Sequence, residues 1–153
     1  MLDHDWIARH IPHQGSMCLL DSGQSWDADK IACRANSHRL PDHPLLAHGR
    51  LGAACAIEYA AQAMAVHGAL TASAAAAPKA GYLVSARSVQ LLVTRLDDIA
   101  ADLDIEAVCL MRGDNNMLYE FNVSESTGRV LVTGRAAVIL DAAALASTSG
   151  NAL

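Results

Sequence analysis

The chain is 153 residues long, enough for one hydrophobic core and short of two comfortable domains. A formal charge of -5 with no run of Lys and Arg excludes the basic stripe of a nucleic-acid binder, while 52% hydrophobic against 18% charged residues leaves apolar surface to meet another subunit. The opening MLDHDWIARHIPH carries acids and histidines where a secretory signal needs a basic start and an apolar core, so the chain is expected to be cytoplasmic.

In chain order, Asp3 is placed to cap a short helix carrying Trp6, Ile7 and Ile11, which Pro12 stops because proline cannot continue the hydrogen-bond ladder. His13 follows at once in a turn. Met17 to Leu20, a polar stretch to Trp26, the turn Asp27-Ala28-Asp29 and a strand with Ile31 and Cys33 read as a hairpin. His38 to Arg50, with Pro41, Pro44 and three histidines, reads as an irregular loop. Gly49 and Gly52 mark the start of a helix expected from about Leu51 to about Leu70, ahead of an alanine-rich linker from Thr71 to Pro78.

The run 51–78 has about the length of a membrane span, but alanine is a weak membrane residue, and Glu58, Gln62 and His67 interrupt it. A soluble core helix, with no membrane insertion, is expected. From Gly81 the period becomes two. Leu83, Val89, Leu91 and Val93 share a face, as do Leu103, Ile105, Ala107, Cys109 and Met111. Gly113-Asp114-Asn115-Asn116 and Thr127-Gly128 are turn signals, leading to Tyr119, Phe121 and Val123 and to a last strand from about Val130 to Leu140. The order is a short helix, two strands, a long buried helix and an antiparallel meander of about four strands. This α+β order fits a hotdog fold, an antiparallel sheet wrapped around one long central helix, and other α+β domains as well. A single domain is expected over 1–141, with a frayed, disordered tail over 142–153.

Glu58 is the only Asp, Glu, Lys or Arg between Arg50 and Lys79. A carboxylate kept in so apolar a helix suggests chemistry, because burial raises a carboxyl pKa towards the range where it exchanges protons at neutral pH. Gln62, one turn later, is placed to hydrogen-bond it, and the backbone at Gly49 and Gly52 lies where a helix start can polarise a carbonyl. His13, His38, His43 and His48 are all candidates for a partner base, and spacing does not choose among them. The histidines at 38, 43 and 48 are five apart, which suits neither helical nor strand ligation, so no metal or other cofactor is expected. The four cysteines, Cys18, Cys33, Cys55 and Cys109, form no C-x-x-C pair and are assigned to packing. Arg50, Arg87 and Arg95 are candidate contacts for an acidic carrier protein or a phosphate arm.

Two segments carry a resemblance. IPHQGSMCLLD (Ile11 to Asp21) resembles the PH-x-x-P-M/F-L-L-V-D segment of bacterial hotdog 3-hydroxyacyl-(acyl-carrier-protein) dehydratases. AIEYAAQAMAVHGAL (Ala56 to Leu70) resembles their central-helix E-x-M-A-Q motif, matching at Glu58, Ala61 and Gln62. The chain is most similar to the divergent, ApeP-like dehydratases of aryl polyene gene clusters, through GYLVSARSV and GRAAVIL as well. The resemblance implies removal of water from 3-hydroxyacyl chains on an acyl carrier protein to give trans-2-enoyl products, with His13 and Glu58 as the catalytic pair and His38 and His43 in reserve. It also implies a hotdog dimer, homo- or heterodimeric, in which the two groups can come from different subunits.

The chain departs from the fatty-acid-synthesis dehydratases in two places. DHPLLAHGRL stands where they carry H-F-P-G-x-P, and RLDDIAADL where they carry P-V-x-P-G-D. These departures motivate a second reading, a non-catalytic partner in a heterodimeric hotdog dehydratase. A third is a hotdog acyl thioesterase using a carboxylate on the same helix.

Overall fold

The computed structural model describes residues 1–72 and 82–139. Strand β1 (Leu2–Asp3) runs directly into α1 (His4–His10), and Asp3 caps the helix by accepting the Trp6 N–H at 2.8 Å. Ile7 and Ile11 turn inward, and the helix ends at Ile11, ahead of Pro12 as the sequence requires. Strands β2 (Ser22–Trp26) and β3 (Lys30–Ala35) form the hairpin, its turn tied by Asp27 Oδ1 accepting the N–H groups of Asp29 and Lys30. The first strand falls later than the hydrophobic pattern suggests. Gly15–Met17 is a single 3-10 turn, and the backbone at Leu19 and Leu20 bonds to Gln62, Ser37 and His4 side chains instead of a neighbouring strand.

The central helix also starts later than expected. Helix α2 covers Ala56–Thr71 after a 3-10 turn at Ala53–Cys55. The preceding backbone is committed elsewhere: Leu51 C=O accepts from Leu96 N–H at 2.7 Å, Leu51 N–H donates to Asp97, and Ala53 N–H donates to Thr94 C=O. His48 and Gly49, both at positive φ (54° and 74°), form the tight turn between Ala47 and Arg50. Glycine at the second position relieves the left-handed conformation there.

Four long strands complete the sheet: β4 (Tyr82–Leu91), β5 (Leu103–Arg112), β6 (Asn116–Glu125) and β7 (Val130–Ile139). All neighbours are antiparallel, in the order β1-β2-β3-β5-β6-β7-β4. The last four strands are therefore not a simple meander. The chain leaves β3, crosses through α2 and enters β4 on the far edge, so that β5 returns beside β3. Alternation also breaks at bulges. Beyond the one in β5, Met111 is 65% exposed, and in β4 Leu83 and Leu91 face outward around a bulge that holds Ser88 at φ 52°.

The sheet curls around α2, burying Tyr59, Ala60, Ala63, Met64 and Val66 against Ile105, Tyr119, Phe121 and Leu131. Each large apolar side chain so enclosed contributes about 1.5–3 kcal/mol. Gly134 lets β7 pass close to this core: a Cβ there would meet Phe121 Cζ at 2.8 Å. An antiparallel sheet wrapped around one long helix is the hotdog fold. Most of the linker expected after Thr71, and the whole of the tail after Asp141, lie outside the described residues.

Candidate active site

Helical geometry puts Glu58, Ala61 and Ala65 on one face of α2, with Gln62 a turn above Glu58. The corner made by Pro12 carries His13 onto that face, because α1 packs against α2. His13 Nε2 stands 2.9 Å from Glu58 Oε1, with the two side chains 22% and 31% exposed. Both side chains of this contact come from the same chain. Gln62 donates through Nε2 to the same carboxylate oxygen at 3.2 Å and to Met17 C=O at 2.7 Å, while its Oε1 accepts the Leu19 N–H at 2.8 Å. The pair opens onto a cavity of about 320 Å³ whose other walls are Pro12, Ala61, Ala65, Leu83 and Val138.

The electrostatics differ from the expectation in sign. Burial pushes the Glu58 carboxyl up, but the hydrogen bonds from His13 and Gln62 outweigh it and leave the group below its ordinary value. Glu58 therefore rests as a carboxylate. With the His13 Nε2 proton directed at that carboxylate, Nδ1 is left buried with no hydrogen-bond partner among the described residues. The two groups together hold exchangeable protons at the mouth of an apolar cavity, the arrangement that general acid–base chemistry needs.

The other candidates lie elsewhere. His43 and His38 are buried, and burial pushes both imidazoles below their ordinary value. His43 bonds Tyr59 through Nε2 and accepts the Leu45 N–H through Nδ1, while His38 bonds Ile99 C=O. His48 stands in the exposed turn. Among the described residues no three His, Cys, Asp or Glu side chains cluster as metal ligands. Neither Gly49 nor Gly52 lines the cavity. Gly49 is accounted for by the turn, and Gly52 bridges Arg95 immediately before the 3-10 turn. Arg95 is engaged by Asp97, whereas Arg50 and Arg87 are exposed. All four cysteines are free thiols, and burial pushes Cys33 up to about 12. Sequence reasoning passed over Ser37 and Tyr59, which bond each other at 2.7 Å next to this site. The available signal was a tyrosine beside Glu58 in an alanine-rich helix, whose hydroxyl needs a partner once buried.

Fold and site together define a hotdog protein with a His–carboxylate pair facing an apolar cavity. The chain belongs to the ApeP-like family, described as ApeP dehydratase, which it matches over residues 6–147. Among solved structures it is similar to a chain of the dehydratase heterocomplex ApeI:P from Xenorhabdus doucetiae, with 27% identity, a TM-score of 0.73 and coverage of 88% of this chain and 90% of that one. A mutant of thioesterase PA1618 from Pseudomonas aeruginosa shares the fold at 10% identity and TM-score 0.62, covering 90% and 92% of the two chains. So does the E. coli PaaI protein of the phenylacetic acid degradation operon, at 11% identity and TM-score 0.61, with coverage of 89% and 88%. No curated protein matches the chain. Among the described residues, no helix is long and apolar enough to cross a membrane.

Proposed function

We propose that this protein removes water from 3-hydroxyacyl thioesters carried on an acyl carrier protein, giving trans-2-enoyl products for fatty-acid-like or aryl polyene chains. The observation that carries the reading is the 2.9 Å contact between His13 and Glu58 at an apolar cavity, in a chain of a dehydratase family. The substrate hydroxyl enters between the two side chains. This separates the two groups, and desolvation drives the proton they share from His13 onto the carboxyl, leaving the imidazole neutral. His13 takes the C2 proton, Glu58 gives its proton to the departing hydroxyl, and water leaves as the C2–C3 double bond forms. The carboxylate and the protonated imidazole that remain are the resting pair again. The backbone N–H of Gly52, which donates to no acceptor among the described residues, is left to polarise a thioester carbonyl that extends beyond the cavity walls. Gly49 is a weaker candidate for the same task, being placed in the exposed turn.

The partner is a second hotdog subunit on β4. This edge strand and the residue after it leave Val84, Leu91 and Leu92 at least 50% exposed, and Leu83 from the same edge walls the cavity. An exposed apolar strand edge favours pairing with another chain. Similarity to a chain of a dehydratase heterocomplex supports a heterodimer beside the homodimer.

One observation favours a second reading. A carboxyl held below its ordinary value suits a base or nucleophile in thioester hydrolysis, as in a hotdog thioesterase. The discriminating experiment supplies a 3-hydroxyacyl thioester to the purified protein and follows enoyl absorbance and free thiol together. Enoyl formation without thiol, lost in His13→Ala, is expected. Free thiol without an enoyl product would establish the thioesterase instead.

A further inference from the structure

Leu19 lies outside every strand, yet its N–H and its C=O, which belong to the two successive peptide groups flanking its Cα, are both held by buried side chains. Its N–H donates to Gln62 Oε1 at 2.8 Å, and its C=O accepts from Ser37 Oγ at 2.7 Å. Ser37 Oγ is 2.7 Å from the Tyr59 hydroxyl, which is 3.1 Å from His43 Nε2. The direction of this chain follows from its one fixed donor. Leu45 N–H points at His43 Nδ1 at 3.0 Å, so Nδ1 is bare and Nε2 carries the proton. His43 therefore donates to Tyr59, Tyr59 to Ser37, and Ser37 to the Leu19 carbonyl. Tyr59 is fully buried, and burial pushes its hydroxyl up to about 12, so it keeps its proton throughout the working range.

On the other side of Leu19 the consequence reaches Glu58. A peptide N–H can only donate, so it fixes which end of the Gln62 amide is oxygen. The amide nitrogen must then face Met17 C=O and Glu58 Oε1. If Leu19, released by Ser37, rotated about its backbone dihedrals, its N–H would leave Gln62 Oε1, the amide would keep only Met17 C=O to fix its orientation, and the second donor to Glu58 would be loosened. Tyr59 and Glu58 are neighbours on α2, one directed into the core and the other to the cavity, so this turn of helix is tied to Leu19 from both faces.

We propose that Ser37 and Tyr59, with His43 behind them, are positioning residues for Glu58, acting through the Leu19 backbone and Gln62. The proposal rests on Glu58 being the catalytic acid. Freed from Gln62, the carboxyl protonates more readily and spends less time in its working rotamer.

The test measures kcat, KM and the pH profile for Tyr59→Phe, Ser37→Ala and Ser37→Thr, with Glu58→Gln alongside and melting curves for each. Tyr59→Phe and Ser37→Ala are expected to lower kcat about tenfold at unchanged KM. Their acid limb, where a second proton enters the His13–Glu58 pair at Glu58, should move to higher pH, and Ser37→Thr, which keeps the hydroxyl, should stay near wild type. A kcat loss explained by the unfolded fraction, with the acid limb unmoved, would overturn the proposal while an inactive Glu58→Gln left the dehydratase reading standing. Full activity in Glu58→Gln would overturn both. If Tyr59→Phe does not fold, the contrast between Ser37→Ala and Ser37→Thr decides.

Discussion

Helix α2 carries a buried or half-buried polar cluster at each end, and the two are built differently. At its C-terminal end His67 is fully enclosed, with Nε2 donating to Asp27 C=O at 2.9 Å and Nδ1 accepting from the Tyr119 hydroxyl at 2.7 Å. Every valence of that imidazole is used, and the cluster closes the β2–β3 turn over the core. At the N-terminal end His13 and Glu58 remain partly exposed, one imidazole nitrogen has no partner among the described residues, and a cavity lies alongside. A satisfied polar cluster holds a fold together, whereas one with a spare valence beside a cavity can meet a substrate.

The contrast breaks if the two ends respond alike to substitution. Glu58→Gln should reduce turnover on the order of a hundredfold or more while shifting the melting temperature little. His67→Ala should do the reverse, costing about 2–4 kcal/mol in urea unfolding through a cavity and a Tyr119 hydroxyl left with only the weak acceptor Met117 Sδ, with turnover per folded molecule largely kept. A large stability loss in the first, or an inactive but stable second, would erase the distinction.

Acid sharpens it. Burial holds His67 below its ordinary 6.5, and does the same for His38 and His43. The unfolded chain therefore binds more protons than the folded one below that value. Stability should be full above about pH 6.5 and fall progressively as the pH drops from there towards the folded-state pKa values. Urea midpoints between pH 7.5 and 5 should show this slope, and it should flatten in a stable His67 variant. The smallest effect belongs to the cap that begins the path to His13. Asp3→Ala should cost about 1 kcal/mol, read as a lower melting temperature.

Much of the fold was legible because its signals are local. Asp3 with Pro12 bounded α1, Gly113 to Asn116 gave the β5–β6 turn, and period-two runs gave the long strands. The misplaced boundaries share a cause, which is backbone bonded to partners distant in sequence. Leu19 is held by Ser37 and Gln62, and Leu51 by Leu96 and Asp97. The placing of β4 beside β7 likewise has no local signature. In the site, Glu58 announced itself as a lone charge in an apolar helix and Gln62 by its spacing. The choice of His13 rested on family resemblance, since no periodicity joins residues brought together by a helix-to-helix corner. The lowering of the Glu58 pKa escaped for the same reason. Burial is readable from neighbours in sequence, but a donor arriving from His13 is not.

The most direct test is mass spectrometry of a 3-hydroxyacyl-carrier protein after incubation with the wild-type chain, with Glu58→Gln, and with each beside a hotdog partner. Loss of one water from the acyl group with wild type, abolished in Glu58→Gln both alone and with the partner, is the expected result. Full dehydration by a complex indifferent to Glu58→Gln would contradict it and make this chain a supporting subunit.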